Sequence, residues 1–336
     1  MSVRFRQEVQ AVPRPARLSL STEKKIIHVV AGVLRNRDGK ILLTERPPGK
    51  HLAGLWEFPG GKCENGETPQ EALRRELHEE IGVDAGAMRR LIGFPWHYAE
   101  KSIYLDVYDV TDFSGEPHGK EGQGLRWEVA DELPRISMPA ADVAIVNALR
   151  LPDRYAITPE PSRDIDTFLR GFERTLAAGI RLIQLRAKTL DRDTLSEVAA
   201  RARTLAHAAG AKLLLNGHID LVKKLKLDGV HLPAADAAGL GTRPLDPSFL
   251  VGVSSHSAEE IAQAAAIRAD FTVLGPVKPT SSHASRPCIG WSGFADLVCD
   301  AALPVYALGG LSQEDFPQAM ASRAQGIAGI SGFWKT

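Results

Sequence analysis

From Lys25 onward the chain alternates short apolar runs with polar turns. Residues 26–34 form a β-rich run, Arg35 to Lys40 a turn cluster containing Asp38-Gly39, and residues 41–44 a returning run. Two strands around an Asp-Gly turn predict a hairpin. The period then changes. Thr68-Pro69 is a helix start and Gly82 a helix stop, so a helix is expected over about residues 68–81. Residues 91–96 and 102–110 read as further strands, and Leu151-Pro152-Asp153-Arg154 reads as a seam.

Beyond the seam the rhythm is different. Apolar runs at 155–158, 182–185, 213–216, 229–232, 250–253, 271–274, 305–308 and 326–330 are mostly separated by helix-length segments. Repeated βα units of this number imply a parallel barrel, with a doubly wound open sheet as the competing reading. Only Gly332 to Thr336 follow the last run, so the final helix is nearly absent. The gap is expected to be covered by the first domain or by a second subunit.

Length and composition agree with two domains. The chain has 336 residues, of which 44% are hydrophobic. We divide it into a flexible tail (1–24), a first domain (25–150) and a second domain (151–336). Lys+Arg and Asp+Glu balance at 41 each, so no global charge draws the protein to nucleic acid or to an anionic membrane. The tail lacks the apolar core of a secretory signal, and no stretch is apolar enough to span a bilayer. Cys63, Cys288 and Cys299 are too few and too scattered for a disulfide framework. A reducing cytoplasm is the expected location. Neither nucleic acid nor membrane is expected as a partner, and an oligomer is compatible with the sequence.

The chemistry concentrates between residues 61 and 83, GKCENGETPQEALRRELHEEIGV. Glu76, Glu79 and Glu80 stand at i, i+3 and i+4, so a helix puts them on one face. Like charges there repel, and a hard divalent cation would relieve them. Arg75 is placed to hold Glu67 or a neighbouring carboxylate. Gly60 and Gly61 let the backbone approach a metal closely. The plainer reading is a solvated acidic face, but surface pairing would alternate acids with bases, whereas here the acids cluster.

This stretch matches the Nudix box at each fixed position: Gly61, Glu67, Arg75, Glu76, Leu77, Glu79, Glu80, Gly82 and Val83. The resemblance implies an α/β/α sandwich with a mixed sheet. It also implies magnesium, with manganese able to substitute. Glu76 would act as base, with Glu79 and Glu80 as ligands and Arg75 in support. Residues 25–148 further resemble the MutT type, the 8-oxo-dGTP diphosphatases. That likeness implies hydrolysis of a nucleoside triphosphate to a monophosphate and pyrophosphate, in nucleotide-pool sanitation. Gly60 and Glu121 would complete the metal site. Arg46, Glu57, Phe58, Gly61 and Asp142 would touch substrate. Phe58 and Trp127 are equally open to plain core packing. Where the family has a base-reading asparagine this chain has Ala141, with Asp142 beside it; an ionised aspartate accepts hydrogen bonds but donates none.

Residues 154–331 resemble thiamine phosphate synthase, implying a (β/α)8 TIM-type barrel with a truncated last helix. The matching segments carry Gln184, Arg186 and Lys188; Asn216; Asp236; Ser254; Thr280; and Gly309 with Gly310. Ser331 follows the last strand. They imply a phosphorylated thiazole or thiamine-like ligand. Two departures stand out: Gly217 replaces a metal-binding aspartate, and His283 replaces a diphosphate-contacting lysine. We therefore expect a barrel that binds such a ligand and makes thiamine phosphate weakly or not at all. Hydrolysis of a thiamine-pathway diphosphate, or a sensing role for the barrel, are the alternatives.

Overall fold

The computed structural model describes residues 26–49, 52–161, 164–280 and 287–334. The expected flexible tail (1–24) and His283 lie outside the described residues. The first domain holds β1 (Ile26–Leu34), β2 (Ile41–Glu45), β3 (Trp56–Glu57), β4 (Gly60–Lys62) and α1 (Pro69–Ile81). It continues with β5 (Asp84–Ala85), β6 (Met88–His97), β7 (Ser102–Val110), β8 (Phe113–Ser114), β9 (Leu125–Glu128) and α2 (Asp142–Arg150).

A four-stranded mixed sheet in the order β4-β1-β7-β6 forms the centre, with β1 parallel to β7. Alternation sorts its two faces. Val30, Leu34, Tyr108 and Val110 pack on Leu73, Leu77 and Ile81 of α1. Ala31, Val33, Leu105 and Val107 pack on Ala144 and Ile145 of α2. This is the α/β/α sandwich expected from the sequence.

The predicted β1–β2 hairpin does not form. A single bridge, Arg35 with Ile41, closes the turn, and β2 then pairs with β3 and β9 in a separate sheet. The reason is competition for edges. A nine-residue register with β7 takes one side of β1, and β4 takes the other.

The second domain alternates β10 (Arg154–Ile157), α3 (Ile165–Ala177), β11 (Leu182–Leu185), α4 (Arg192–Ala208), β12 (Lys212–Asn216), α5 (Ile219–Lys224), β13 (Gly229–Leu232) and α6 (Ala234–Ala238). It continues with β14 (Leu250–Ser255), α7 (Ala258–Ala266), β15 (Phe271–Leu274), α8 (Gly290–Val298), β16 (Val305–Leu308), α9 (Phe316–Ala321) and β17 (Gly326–Gly329). The eight strands close into a parallel barrel, because β17 pairs with β10; the open-sheet alternative is excluded.

Among the described residues, Phe333 and Trp334 cover the side of the barrel that follows β17. Trp334 stacks on Phe168 of α3 at 5.2 Å between centroids, and Phe333 is fully buried. Two aromatic rings thus supply the apolar cover a helix would have given.

The first domain closes the opposite, N-terminal end of the barrel. Leu151 joins Tyr155, Leu182, Leu214 and Phe271 in the barrel's lower core. Gln325 Nε2 donates to the carbonyls of Ala148 (3.1 Å) and Leu151 (3.0 Å), and Arg323 donates to the Tyr104 hydroxyl at 3.2 Å. The C-terminal ends of the strands remain open for a site. Among the described residues no helix is long and apolar enough to cross a membrane, and Cys63, Cys288 and Cys299 are free.

Candidate functional site

The acidic helix α1 is fixed at both ends. Thr68 Oγ1 accepts from the Glu71 N–H, and the Glu71 carboxylate accepts from the Thr68 N–H, a reciprocal cap. Gly82 ends the helix in the left-handed region at φ 70°. Ala72, Leu73, Leu77 and Ile81 anchor the buried face. Glu76 and Glu80 are thereby turned toward β4. The Gly60 N–H donates to Glu80 Oε2 at 3.2 Å. A Cβ on Gly61 would come within 2.3 Å of the Glu76 carboxyl, so only glycine permits this approach.

Arg75 organises the remaining acids. Its guanidinium holds both oxygens of Glu67 (2.8 and 3.0 Å) and reaches Glu76 at 2.8 Å and Glu79 at 3.2 Å. The hydrogen bond from Arg75, helped by the Glu64 N–H, holds Glu67 down to about 2. Glu80 behaves oppositely. Burial pushes its carboxyl up to about 7, and Glu76, Glu57 and Glu121 add to the effect against the opposing Gly60 N–H.

Glu121 reaches this group through a loop that the helix end holds. The N–H of Lys120 (3.0 Å) and Gln123 Nε2 (2.9 Å) both donate to the Glu80 carbonyl, while Lys120 Nζ donates to the His78 carbonyl at 2.7 Å. Sequence reading missed Lys120 and Gln123, although capping of orphan carbonyls past Gly82 is a signal that could have found them. Among the described residues no three His, Cys, Asp or Glu side chains form an assembled ion cage. The donor chemistry fits a hard cation nonetheless: oxygen ligands only, one of them desolvated, with a glycine backbone beside them.

The expected substrate residues gather nearby. Arg46 pairs with Glu57, and both act electrostatically on Asp142 and Tyr98. Asp142 is buried at the start of α2, and its Oδ2 has no hydrogen-bond partner. Burial, with Glu57 adding to it, pushes Asp142 well above the usual carboxylate range. Such a shift favours the neutral form over the ionised one considered from sequence. A neutral carboxyl both donates and accepts. Phe58 lies in the core beside α2, only 4% exposed, and Trp127 packs on the α1 side. Tyr98 was missed because the β6–β7 turn brings it in from outside the motif.

The barrel carries a cavity of about 800 Å³ at the C-terminal ends of its strands. Gln184, Arg186, Lys188, Asn216 and Ser254 line it, with Thr280, Gly309, Gly310 and Ser331. Asp236 lies next to Gly217, where a Cβ would sit 4.0 Å from its Oδ2. Gly309 and Gly310 have φ 103° and 63°, and a Cβ on either would strike the 276–279 segment. These two glycines are required by the turn itself. His231 also lines the cavity; it stands in the Asp228–Leu232 segment that matches the barrel family but was not among the expected ligand residues.

Known proteins match each half separately. The family model described as NUDIX domain matches residues 26–149, and that described as Thiamine monophosphate synthase matches residues 154–333. The 8-oxo-dGTP diphosphatase of Haemophilus influenzae is 42% identical over 127 residues, covering 38% of this chain and 93% of that protein. The CTP pyrophosphohydrolase of Escherichia coli K12 is 39% identical over 124 residues, covering 37% of this chain and 91% of that protein. The thiamine-phosphate synthase of Bacteroides fragilis is 31% identical over 169 residues, covering 48% of this chain and 83% of that protein. The chain therefore belongs to two families at once, the MutT-like NUDIX hydrolases through its first domain and the thiamine monophosphate synthases through its barrel.

Proposed function

We propose that the first domain hydrolyses a nucleoside triphosphate to the monophosphate and pyrophosphate with magnesium, and that 8-oxo-dGTP is its best substrate. The buried Glu80, which accepts from the Gly60 N–H and is raised further by Glu76, Glu57 and Glu121, carries this reading. Such a cluster is costly unless a cation offsets it. Glu76, Glu79, Glu80, Glu121 and the Gly60 carbonyl are the residues that would hold the ion. Bound magnesium would neutralise phosphate oxygens and acidify a water. The chain's own part is positional. Arg75 fixes the Glu76 carboxylate, the residue we assign to accept the water proton. Arg46, held by Glu57, supplies a cation for the phosphates.

Asp142 bears on the base. As a neutral acid it offers one donor and one acceptor, the pattern of an amide, which restores the reading that an ionised aspartate would lose. The resemblance to a CTP pyrophosphohydrolase keeps a pyrimidine nucleotide as the second candidate.

For the barrel we propose binding of a phosphorylated thiazole or thiamine-like ligand with weak or absent synthesis. Gly217 stands beside Asp236 where the family has a second carboxylate, and His283 stands where it has a lysine. A panel of 8-oxo-dGTP, dGTP, CTP and thiamine diphosphate with magnesium tests the first part. The expected ranking puts 8-oxo-dGTP first in kcat/KM; thiamine diphosphate in first place would overturn it. Formation of thiamine phosphate at an ordinary enzymatic rate would overturn the second part.

A further inference from the structure

Five side chains form an unbroken hydrogen-bonded chain through the barrel core. Asn216 Nδ2 donates to Gln184 Oε1 at 3.1 Å, and Gln184 Nε2 donates to the Tyr155 hydroxyl at 3.0 Å. Tyr155 Oη lies 3.1 Å from His231 Nδ1, and His231 Nε2 lies 2.9 Å from Ser254 Oγ. Tyr155, Gln184 and His231 are buried, while Asn216 and Ser254 are partly exposed at the cavity.

The direction of this chain follows from counting hydrogens. A phenol has one. Tyr155 accepts from Gln184 and has one hydrogen to give, and His231 Nδ1 is the acceptor within reach at 3.1 Å. Burial holds His231 neutral, pushing its imidazole down to about 3. A neutral imidazole accepting at Nδ1 carries its hydrogen on Nε2 and donates it to Ser254. The Ser254 hydroxyl hydrogen is left for the cavity.

We propose that Tyr155 and His231 are positioning residues that fix Ser254 as a hydrogen-bond donor into the cavity, so that its wall selects an acceptor-only group, a phosphate or diphosphate oxygen. Arg186 and Lys188 line the same cavity and supply matching charge. The role of Ser254 rests on the phosphate-binding reading of the barrel; the polarity of the chain does not.

The test uses the full-length protein, ¹⁵N-labelled at histidine, with EDTA present to keep the first domain free of metal. His231 is assigned by loss of its signals in His231→Gln. The imidazole nitrogens should report hydrogen on Nε2 and none on Nδ1. Inorganic phosphate is then titrated against wild type, Tyr155→Phe, Ser254→Ala and the double variant. Ser254→Ala should weaken phosphate about tenfold and Tyr155→Phe about threefold, since a hydrogen bond to a charged group carries more than a neutral one. In the Ser254→Ala background, Tyr155→Phe should cost nothing further, because it acts through Ser254.

Hydrogen on Nδ1 in the wild type would overturn the polarity, and this readout needs no variant to fold. Equal losses from Tyr155→Phe in both backgrounds would reduce Tyr155 to a packing role and overturn the proposal. A wild type with the expected tautomer but no response to phosphate would overturn the binding reading and the task given to Ser254, leaving the polarity intact.

Discussion

Around Glu80 and around His231 the two domains bury polar groups in opposite ways. Three other carboxylates act on Glu80, and burial raises the cost of ionising it. In the barrel core each group of a five-membered chain has a partner, and the central imidazole stays neutral. The first arrangement calls for a cation, which suits chemistry on a phosphoanhydride. The second holds a fixed pattern of donors, which suits recognition. Glu80 is a buried carboxylate beside other carboxylates, whereas every member of the barrel chain is neutral and hydrogen-bonded, so only the first stores a charge to be relieved.

This contrast predicts opposite responses to pH. His231 has its imidazole lowered from 6.5 to about 3 in the fold. Its contribution is present above pH 6.5 and is lost as pH falls toward 3, about 5 kcal/mol in all. Hydrogen exchange of the barrel strands should show this loss, and His231→Gln should remove most of the slope. An unchanged slope would contradict the assignment. Glu80 has its carboxyl raised from 4.5 to about 7. Its contribution is present below pH 4.5 and is lost as pH rises through 7, about 3 kcal/mol in metal-free protein. Added magnesium should restore that stability at pH above 7, and Glu80→Gln should flatten the profile. A metal-free profile equally steep in the variant would remove Glu80 as the source.

Smaller effects sharpen the same contrast. Arg75→Ala frees Glu67, Glu76 and Glu79, so kcat/KM should fall about 10- to 100-fold while the magnesium requirement rises. A variant with unaltered kinetics would make Arg75 a surface residue only. Asp142→Asn keeps one donor and one acceptor, so kcat/KM for the best nucleotide should change less than about threefold, whereas Asp142→Ala loses both. A larger loss in the asparagine variant would mean that the carboxylate works ionised.

Much of this was legible in the sequence, for local reasons. The α1 cap at Thr68 and its stop at Gly82 are written in consecutive residues, and each barrel strand is a short apolar run. The Nudix acids were legible because a helix converts their spacing into a shared face. What could not be read depends on distant pairing. β2 lost its expected partner to β7, some 60 residues further along the chain. The upward shift of Asp142 comes from burial at the start of α2 and from Glu57, and the barrel chain joins Tyr155 to His231 across 76 residues. The stacking of Trp334 on Phe168 likewise joins residues from opposite ends of the barrel sequence.

The central claim is that the Glu80 cluster binds the cation that makes a phosphoanhydride reactive. The most direct measurement is pyrophosphate release from 8-oxo-dGTP with saturating magnesium, comparing wild type with Glu80→Gln of matched fold. The account predicts a loss of about a thousandfold. Equal rates for the two proteins would contradict it.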